Sequence, residues 1–294
     1  MRKNWIYTRY AYGILGHMKG GKKPNGFTIS ETLVVIAITG VMFSAIVFTL
    51  SGRQNKTEFT QAIQEVQSQI QQVIHDVSVG YYPNPNNFQC VAALSGPQFS
   101  VGTTEQGANK GCVFLGKAIQ FGSIPSSKDG IEDFRIYSIA GLQRTAAGDE
   151  VTDYSDAKPT VVAPPATPPD VDTTETKYLL HGLTTKEISY GSPATNVGVI
   201  AFANSLATYE GSAIQSGVQS VRVIPIKTSG LGETKAQAIS AINNQFANSV
   251  VDPVDGVSLC FVSGGTDQSG LIVIGGTSRQ LTVTLNIKGN KTCS

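Results

Sequence analysis

The clearest hydrophobic pattern in the chain is an uncharged apolar run near its N-terminus. Residues 32–50 contain no Asp, Glu, Lys or Arg, and eleven of the residues from Leu33 to Leu50 are Leu, Ile, Val or Phe. A run of this length is sufficient to cross a hydrocarbon core as one helix. At about −0.3 to −0.6 kcal/mol each, these side chains contribute roughly −3 to −7 kcal/mol towards insertion. The pattern therefore predicts a transmembrane helix over residues 27–52.

Beyond Gly52 the apolar residues become sparse and follow helical spacing. They recur at steps of three and four among Gln, Glu and Ser, at Phe59, Ile63, Val66, Ile70, Val73 and Val77. This narrow stripe predicts an amphipathic stem helix over residues 53–80 that ends at Gly80, before Pro83 and Pro85. We expect the stripe to pack on the chain's own β-sheet. A coiled-coil surface is the alternative, but it normally requires about three to four sustained heptads.

The remainder, residues 81–294, has the pattern of a β-rich globular region. A short helix is predicted between Glu233 and Asn248, and the last strand alternates apolar and polar residues, which predicts one buried and one wet face. Together with the stem, these elements predict an α+β fold in which a long N-terminal helix packs on an antiparallel sheet. The strand candidates are Val113–Phe121, Asp133–Ile139, Lys186–Tyr190, Val197–Ala203, Val218–Pro225, Val257–Ser263, Leu271–Ile274 and Arg279–Ile287.

A proline-rich segment, residues 155–175, separates two hydrophobic blocks in this region. It holds five of the chain's prolines between Pro159 and Pro169, among Ala, Thr and Val. Such a composition favours an extended, solvated conformation with few internal hydrogen bonds. We interpret the segment as a surface loop or linker; a docking motif for a partner is the alternative.

Charge is distributed unevenly along the chain. Residues 1–26 hold six of the 22 basic residues and none of the 21 acidic ones. The positive-inside rule therefore predicts a cytoplasmic N-terminus, whether translation starts at Met1 or at Met18. The remaining chain is acidic by about five charges, so no basic stripe is available and no direct nucleic-acid site is expected.

The four cysteines, Cys90, Cys112, Cys260 and Cys293, form no C-x-x-C motif and have no accompanying histidine cluster. A zinc site is therefore not expected. An even number of cysteines on the exported side of a membrane favours disulfides. Proximity in sequence favours Cys90–Cys112 and Cys260–Cys293, and two other sets of pairings stay open.

Motifs of catalysis or cofactor binding are missing from the sequence. There is no G-x-S-x-G, P-loop or H-E-x-x-H motif, so we expect neither an enzyme nor a cofactor. Asp252, Asp255 and Asp267 lie in Gly-containing loops that could ligate calcium. Their spacing fits no EF-hand loop, and solvated turn acids are the better interpretation, so no metal is predicted. The histidines have no sequence partner that would suggest a triad or a metal site; they are His17, His75 and His181.

One short segment carries a family resemblance. Residues 22–38 read KKPNGFTISETLVVIAI, and this segment resembles the class III signal of type IV prepilins and type II secretion pseudopilins. In that family a membrane peptidase cuts after the glycine and usually methylates the new N-terminal residue. The resemblance thus implies cleavage between Gly26 and Phe27 and N-methylation of Phe27. The family's glutamate, fifth after the cut, corresponds to Glu31.

Three positions depart from the family pattern. Ser30 and Thr32 flank the glutamate where Ile and Leu are commoner, and Phe48 stands where major pilins often have proline. Once subunits pack in a filament, the Glu31 carboxylate could pair with the charged amine of a neighbour's Phe27, and the pair would compensate both buried charges. A lone glutamate at the membrane interface is the alternative.

The resemblance implies a pilin-like fold and a structural role. The leading hypothesis is a minor-pilin-like subunit of a type IV pilus that serves adhesion, motility or DNA uptake. Its partners would be other pilin subunits, the prepilin peptidase, the inner-membrane assembly platform and, before assembly, membrane lipid. It would be a single-pass protein of the inner or cytoplasmic membrane and later part of an extracellular filament. The alternatives are a type II secretion pseudopilin and a membrane-anchored surface receptor or enzyme that is not assembled.

Overall fold

The computed structural model describes residues 26–81, 88–102, 111–122, 132–145, 147–163, 172–191, 193–204, 221–228, 231–247, 256–277, 280–290 and 292–293. The predicted leader before Gly26, most prolines of the proline-rich segment, and Asp252 and Asp255 lie outside these ranges. The chain divides into two compact units, residues 1–51 and residues 52–294.

Among the described elements, one long N-terminal helix is followed by thirteen strands and two short helices. In chain order they are α1 (Ile29–Ser78), β1 (Phe88–Ala93), β2 (Gly96–Val101), β3 (Cys112–Phe121), β4 (Asp133–Leu142), α2 (Tyr154–Ala157), β5 (Thr160–Val161), β6 (Glu175–Tyr178), β7 (Leu183–Tyr190), β8 (Thr195–Asn196), β9 (Val199–Asn204), β10 (Val221–Ile226), α3 (Lys235–Gln245), β11 (Val257–Ser263), β12 (Ser269–Thr277) and β13 (Gln280–Lys288).

Helix α1 joins the predicted apolar and amphipathic segments into one 50-residue helix. It ends as the sequence predicts, because Gly80 adopts a left-handed conformation with φ of 69°. The Tyr81 N–H donates to the Asp76 carbonyl at 2.7 Å, and the Gly80 N–H donates to the Val77 carbonyl at 3.1 Å. These bonds satisfy carbonyls that the last helical turn would otherwise leave unpaired.

The apolar stripe of the stem lies in the main core of the unit formed by residues 52–294. Each of its six predicted residues, from Phe59 to Val77, is at most 3% exposed. The stripe packs with apolar residues of both large sheets, among them Ile119, Phe261 and Ile272. The prediction that the stem packs on the chain's own strands is confirmed, and the stripe is not available to a coiled-coil partner.

A five-stranded antiparallel sheet provides one side of this core, in the order β13-β12-β11-β7-β8. Strands β11, β12 and β13 follow each other along the chain and pair as the antiparallel meander that the sequence predicts. In β13 the residues Thr282 and Thr284 are exposed, whereas Leu281 and Val283 are only half-buried. The predicted alternation is present, but the apolar face is incompletely covered because β13 is an edge strand. The side-chain amide of Gln67 on the stem donates to the Val283 carbonyl at 3.0 Å.

The second large sheet has the order β10-β9-β3-β4-β5, and β6 also pairs with β4. Its central strands are buried on both faces: the stem core covers one face, and α2 and α3 cover the other. Strands β9 and β10 come from the second hydrophobic block of the sequence, yet β9 pairs with β3 from the first. The two hydrophobic blocks of the sequence therefore contribute strands to one sheet, because β9 pairs with β3.

Helix α3 is specified by its own sequence. Thr234 caps its N-terminus in a capping box with Gln237, in which each side chain accepts a hydrogen bond from the other residue's backbone N–H. Ile239, Ile242 and Phe246 are buried against the six-stranded sheet. The helix predicted between Glu233 and Asn248 is thereby confirmed.

The start of the proline-rich segment does not fit the prediction of a solvated loop. Val161, Val162 and Ala163 are fully buried, and β5 pairs with β4 through Ile139 and Ala140. Small apolar side chains here fill space against the sheet, which outweighs the preference of nearby prolines for an extended, hydrated chain. Residues 164–171 lie outside the described residues.

Two disulfides hold peripheral segments to the sheets. Cys90–Cys112 joins the two-stranded β1–β2 hairpin to β3, and Cys260–Cys293 joins the C-terminal segment to β11. Their Cα–Cα distances are 6.0 and 5.8 Å. These are the two pairs that sequence proximity favours. In a chain-entropy treatment, loops of this size stabilise the fold by about 3 to 4 kcal/mol each.

Gly270 of β12 provides a test of how closely the stem packs on the sheet. A Cβ built on Gly270 would overlap the Ile63 Cδ1 atom. We expect Gly270→Ala to lower the free energy of unfolding by about 1 to 3 kcal/mol, because overpacking a core forces side chains and backbone to shift. The measurement is the denaturant midpoint of the detergent-solubilised chain with both disulfides intact. Gly264→Ala is the matched control, since its Cβ would meet nothing within 4 Å; equal midpoints for both variants would contradict this packing.

Candidate processing and assembly site

The predicted cleavage position lies immediately before α1. Gly26, Phe27 and Thr28 are non-helical and exposed, and Phe27 retains 83% of its accessible surface. A Cβ built on Gly26 would meet no atom within 4 Å. Packing among the described residues therefore gives no reason for a glycine here, and the Gly26–Phe27 peptide bond is uncovered.

Glu31 takes part in a capping box that the analysis of the sequence missed. The Thr28 N–H and the Thr28 hydroxyl both donate to Glu31 Oε2 at 3.0 Å, and the Glu31 N–H donates to Thr28 Oγ1 at 3.3 Å. This reciprocal arrangement satisfies N-H groups of the first turn that have no partner within the helix. The signal was readable as T-x-x-E at residues 28–31. Glu31 is therefore partnered within its own chain, where it also faces the positive end of the helix.

The first half of α1 presents an apolar surface on all sides within its own unit. Every described side chain from Phe27 to Phe48 is exposed, and this part of the helix is long and apolar enough to span a membrane. The hydroxyls of Thr39 and Ser44 donate to the carbonyls of Val35 and Gly40 at 2.8 Å. Because these hydroxyls are satisfied by backbone four residues earlier, they do not prevent transfer of the helix into an apolar phase.

The histidines of the described residues do not form a catalytic or metal-binding arrangement. His75 shares a shallow groove with Ser78 and β13, but the Ser78 hydroxyl donates to the His75 carbonyl at 2.7 Å rather than to its imidazole. His181 lies before β7, with Nδ1 3.8 Å from Oε2 of Glu58. Within the described ranges, no group of three or more His, Cys, Asp or Glu residues is placed to hold a metal ion.

Several titratable groups of the head, the unit formed by residues 52–294, have pKa values shifted by packing. Burial raises the pKa of Glu132, whose Oε2 accepts a hydrogen bond from the Thr185 N–H at 2.6 Å. Burial also raises the pKa of Tyr137 to about 12; its hydroxyl donates to Gln120 Oε1 at 2.6 Å. For Asp172, hydrogen bonds from Lys235 and Thr174 outweigh burial and lower the pKa.

Comparison of the chain with protein-family models, curated proteins and solved structures found no match. The description of the site therefore rests on the chain itself. One N-terminal apolar helix, antiparallel sheets and two disulfides are present, an arrangement consistent with an α+β layout of the pilin kind.

Glu132 gives the head a testable dependence on pH. Its folded-state pKa is raised, so the stability it contributes is present below its unfolded pKa and is lost as pH rises through the folded value. Glu132→Gln removes the charge and retains an oxygen that can accept from Thr185. We expect the variant to become more stable relative to the unmodified chain as pH rises above the ordinary pKa of a glutamate, measured as denaturant midpoints. Glu187→Gln, at an exposed position of β7, serves as control; a pH-independent difference for Glu132→Gln would contradict the interpretation.

Proposed function

We propose that the chain is a structural subunit of a type IV filament, of the minor-pilin kind. It is made as a membrane-anchored precursor, cut between Gly26 and Phe27, methylated at Phe27 and assembled through packing of its N-terminal helix. The observation that carries the proposal is the contrast along α1. The described apolar side chains from Phe27 to Phe48 are exposed, whereas the apolar stripe of the stem is buried in the head.

An apolar helical surface of this kind requires a non-aqueous environment. In a bilayer, lipid chains cover it; in a filament, the helices of other subunits would replace the lipid. Helices associate in apolar surroundings through close packing and polar contacts rather than through a hydrophobic driving force. The proposed partners are accordingly membrane lipid first and other pilin subunits afterwards, with the prepilin peptidase and the inner-membrane assembly platform acting in between.

The proposed orientation follows from charge. The six basic residues before Phe27 and the absence of acids there favour a cytoplasmic N-terminus and an exported head. Disulfides in the head suit an oxidising, exported compartment. The role is thus interaction and architecture rather than catalysis, and no cofactor enters it.

Glu31 would act in assembly through its charge. After cleavage, Phe27 would carry a positively charged amine, and an acid and an amine buried together in a bundle compensate each other. The capping box with Thr28 is a competing, purely local role for the same carboxylate. The two roles make different demands, since capping needs only an acceptor oxygen, whereas pairing needs a negative charge.

Cleavage can be tested at Gly26. We expect the unmodified chain, recovered from membranes or filaments, to begin at N-methylated Phe27, as read by mass spectrometry. Gly26→Ala should be cut more slowly and Gly26→Val should stay uncut, visible as a larger band on an immunoblot. A Cβ at residue 26 meets no atom of the described part of the chain within 4 Å, so both variants should retain wild-type head stability. An unmodified chain that keeps its leader, or a Gly26→Val variant that is cut like wild type, would refute the proposed processing and leave an ordinary tethered ectodomain.

The role of Glu31 can be separated from capping with three variants. Glu31→Gln retains an acceptor for Thr28 but has no charge, Glu31→Ala loses both, and Thr28→Val keeps the charge but loses the capping hydroxyl. We expect both Glu31 variants to insert in membranes but to enter filaments at least about tenfold less, as loss of a charged hydrogen-bonded pair of about 1.5 kcal/mol or more predicts. Thr28→Val should be incorporated near the wild-type level, as quantified by immunoblot of sheared filaments. Normal incorporation of Glu31→Gln would mean that the carboxylate serves capping alone.

A further inference from the structure

Lys117 occupies an unusual position for a lysine. It lies on β3 in the row of side chains that continues with Ile119 and Phe121 towards the stem, and it is only 1% exposed. A lysine is almost never buried to this degree without a partner. The amine is therefore held in the core by specific groups rather than by water.

Two carboxylates from different elements approach this amine. Lys117 Nζ lies 2.6 Å from Oδ2 of Asp76, in the last turns of α1, and 4.0 Å from Oε1 of Glu175 on β6. The ring centroid of Tyr81 is 5.7 Å from the same nitrogen. The Asp76 side chain is 17% exposed and the Glu175 side chain is 39% exposed, so the contact between Lys117 and Asp76 is the sheltered part of the cluster.

The sheet register brings the three reactive groups to one face. Lys117 pairs with Ser138 of β4, and Ile136 of β4 pairs with Glu175 of β6. Positions 136 and 138 of β4 are two residues apart, so their side chains share a face, and this face is the one that packs on the stem. Asp76, near the C-terminal end of α1, contacts Lys117 on this face of the sheet.

This environment opposes a pair of separate charges. Burial of two ions costs several kcal/mol each unless geometry and hydrogen bonds compensate for it. Asp76 also lies near the C-terminal end of α1, where the helix dipole disfavours a carboxylate. Amide formation joins an amine and a carboxylic acid in their neutral forms, and the 2.6 Å contact between Nζ and Oδ2 gives a direct path for the one proton that has to pass from lysine to aspartate.

We propose that Lys117 and Asp76 become joined by an intramolecular isopeptide bond, with Glu175 as the proton carrier. The Nζ lone pair attacks Cγ of protonated Asp76 and forms the C–N bond. The Glu175 carboxylate accepts a proton from the nitrogen and delivers it to the departing Asp76 hydroxyl. The C–O bond breaks, one water molecule leaves, and Glu175 returns to its initial state. Two reacting groups held in contact by a fold gain the large rate advantage of an intramolecular reaction.

The bond would fasten the stem to the six-stranded sheet, which neither disulfide does. Cys90–Cys112 and Cys260–Cys293 each hold a segment outside α1. The inference does not depend on cleavage or on filament assembly, because all its residues lie in the unit formed by residues 52–294. It would hold equally for a head that is never assembled.

Mass spectrometry of the full chain tests the proposal directly. The chain is purified from membranes, its disulfides are reduced, and its intact mass is compared with that of its own sequence, with any processed N-terminus taken into account. We expect the mass to be lower by one water molecule. Trypsin should fail to cleave after Lys117 in the denatured chain, and a branched peptide should contain both Asp76 and Lys117. A full calculated mass together with cleavage after Lys117 would overturn the proposal.

Variants assign the roles within the cluster. Lys117→Met and Asp76→Ala should each have their full calculated mass. Glu175→Gln keeps the reacting pair, removes the proton carrier and should remain mostly unlinked, whereas the control Glu187→Gln should be linked like the unmodified chain. Wild-type linkage in Glu175→Gln would overturn the role of Glu175. If the first two variants fail to fold, the unmodified chain and Glu175→Gln still decide the question, because both retain the two reacting residues, Lys117 and Asp76.

Discussion

Burial of the stem stripe between the two large sheets is the interaction on which the rest of the head depends. The stem side chains occupy one continuous core with strands from both sheets, and removing the stem would expose both inner faces to water. Each large apolar side chain buried there contributes about 1.5 to 3 kcal/mol. No room for a Cβ remains between Gly270 and Ile63, so the stem packs closely against this part of the sheet.

The same constraint explains which parts of the fold the sequence predicted. The stem helix could be predicted because its apolar residues recur every three or four positions, and its C-terminal end could be predicted from Gly80. Strands β11 to β13 were readable because their apolar residues alternate or cluster between glycine turns. Strand β6 was missed because its sequence, ETKY, is polar. The pairing of β9 with β3 could not be derived either, because the partner of a strand depends on residues far away in the chain.

The candidate site shows a similar division. Gly26, Phe27 and Glu31 were predicted from a short motif. The capping role of Thr28 became clear only from its hydrogen bonds with Glu31, although the sequence contains the T-x-x-E pattern. Lys117 could not be identified from sequence at all, because a lysine in a strand ordinarily marks a solvated face. Only the arrangement of α1, β3 and β6 places its amine beside two acids.

The hydrogen bond from Gln67 to the Val283 carbonyl has a consequence for solubility. Edge strands expose unpaired backbone groups and invite strands of other molecules to add to the sheet. In β13 one such carbonyl is already occupied by a side chain from the stem, and polar threonines line the outer face of the strand. This arrangement disfavours the addition of a strand from another molecule at this position of the edge.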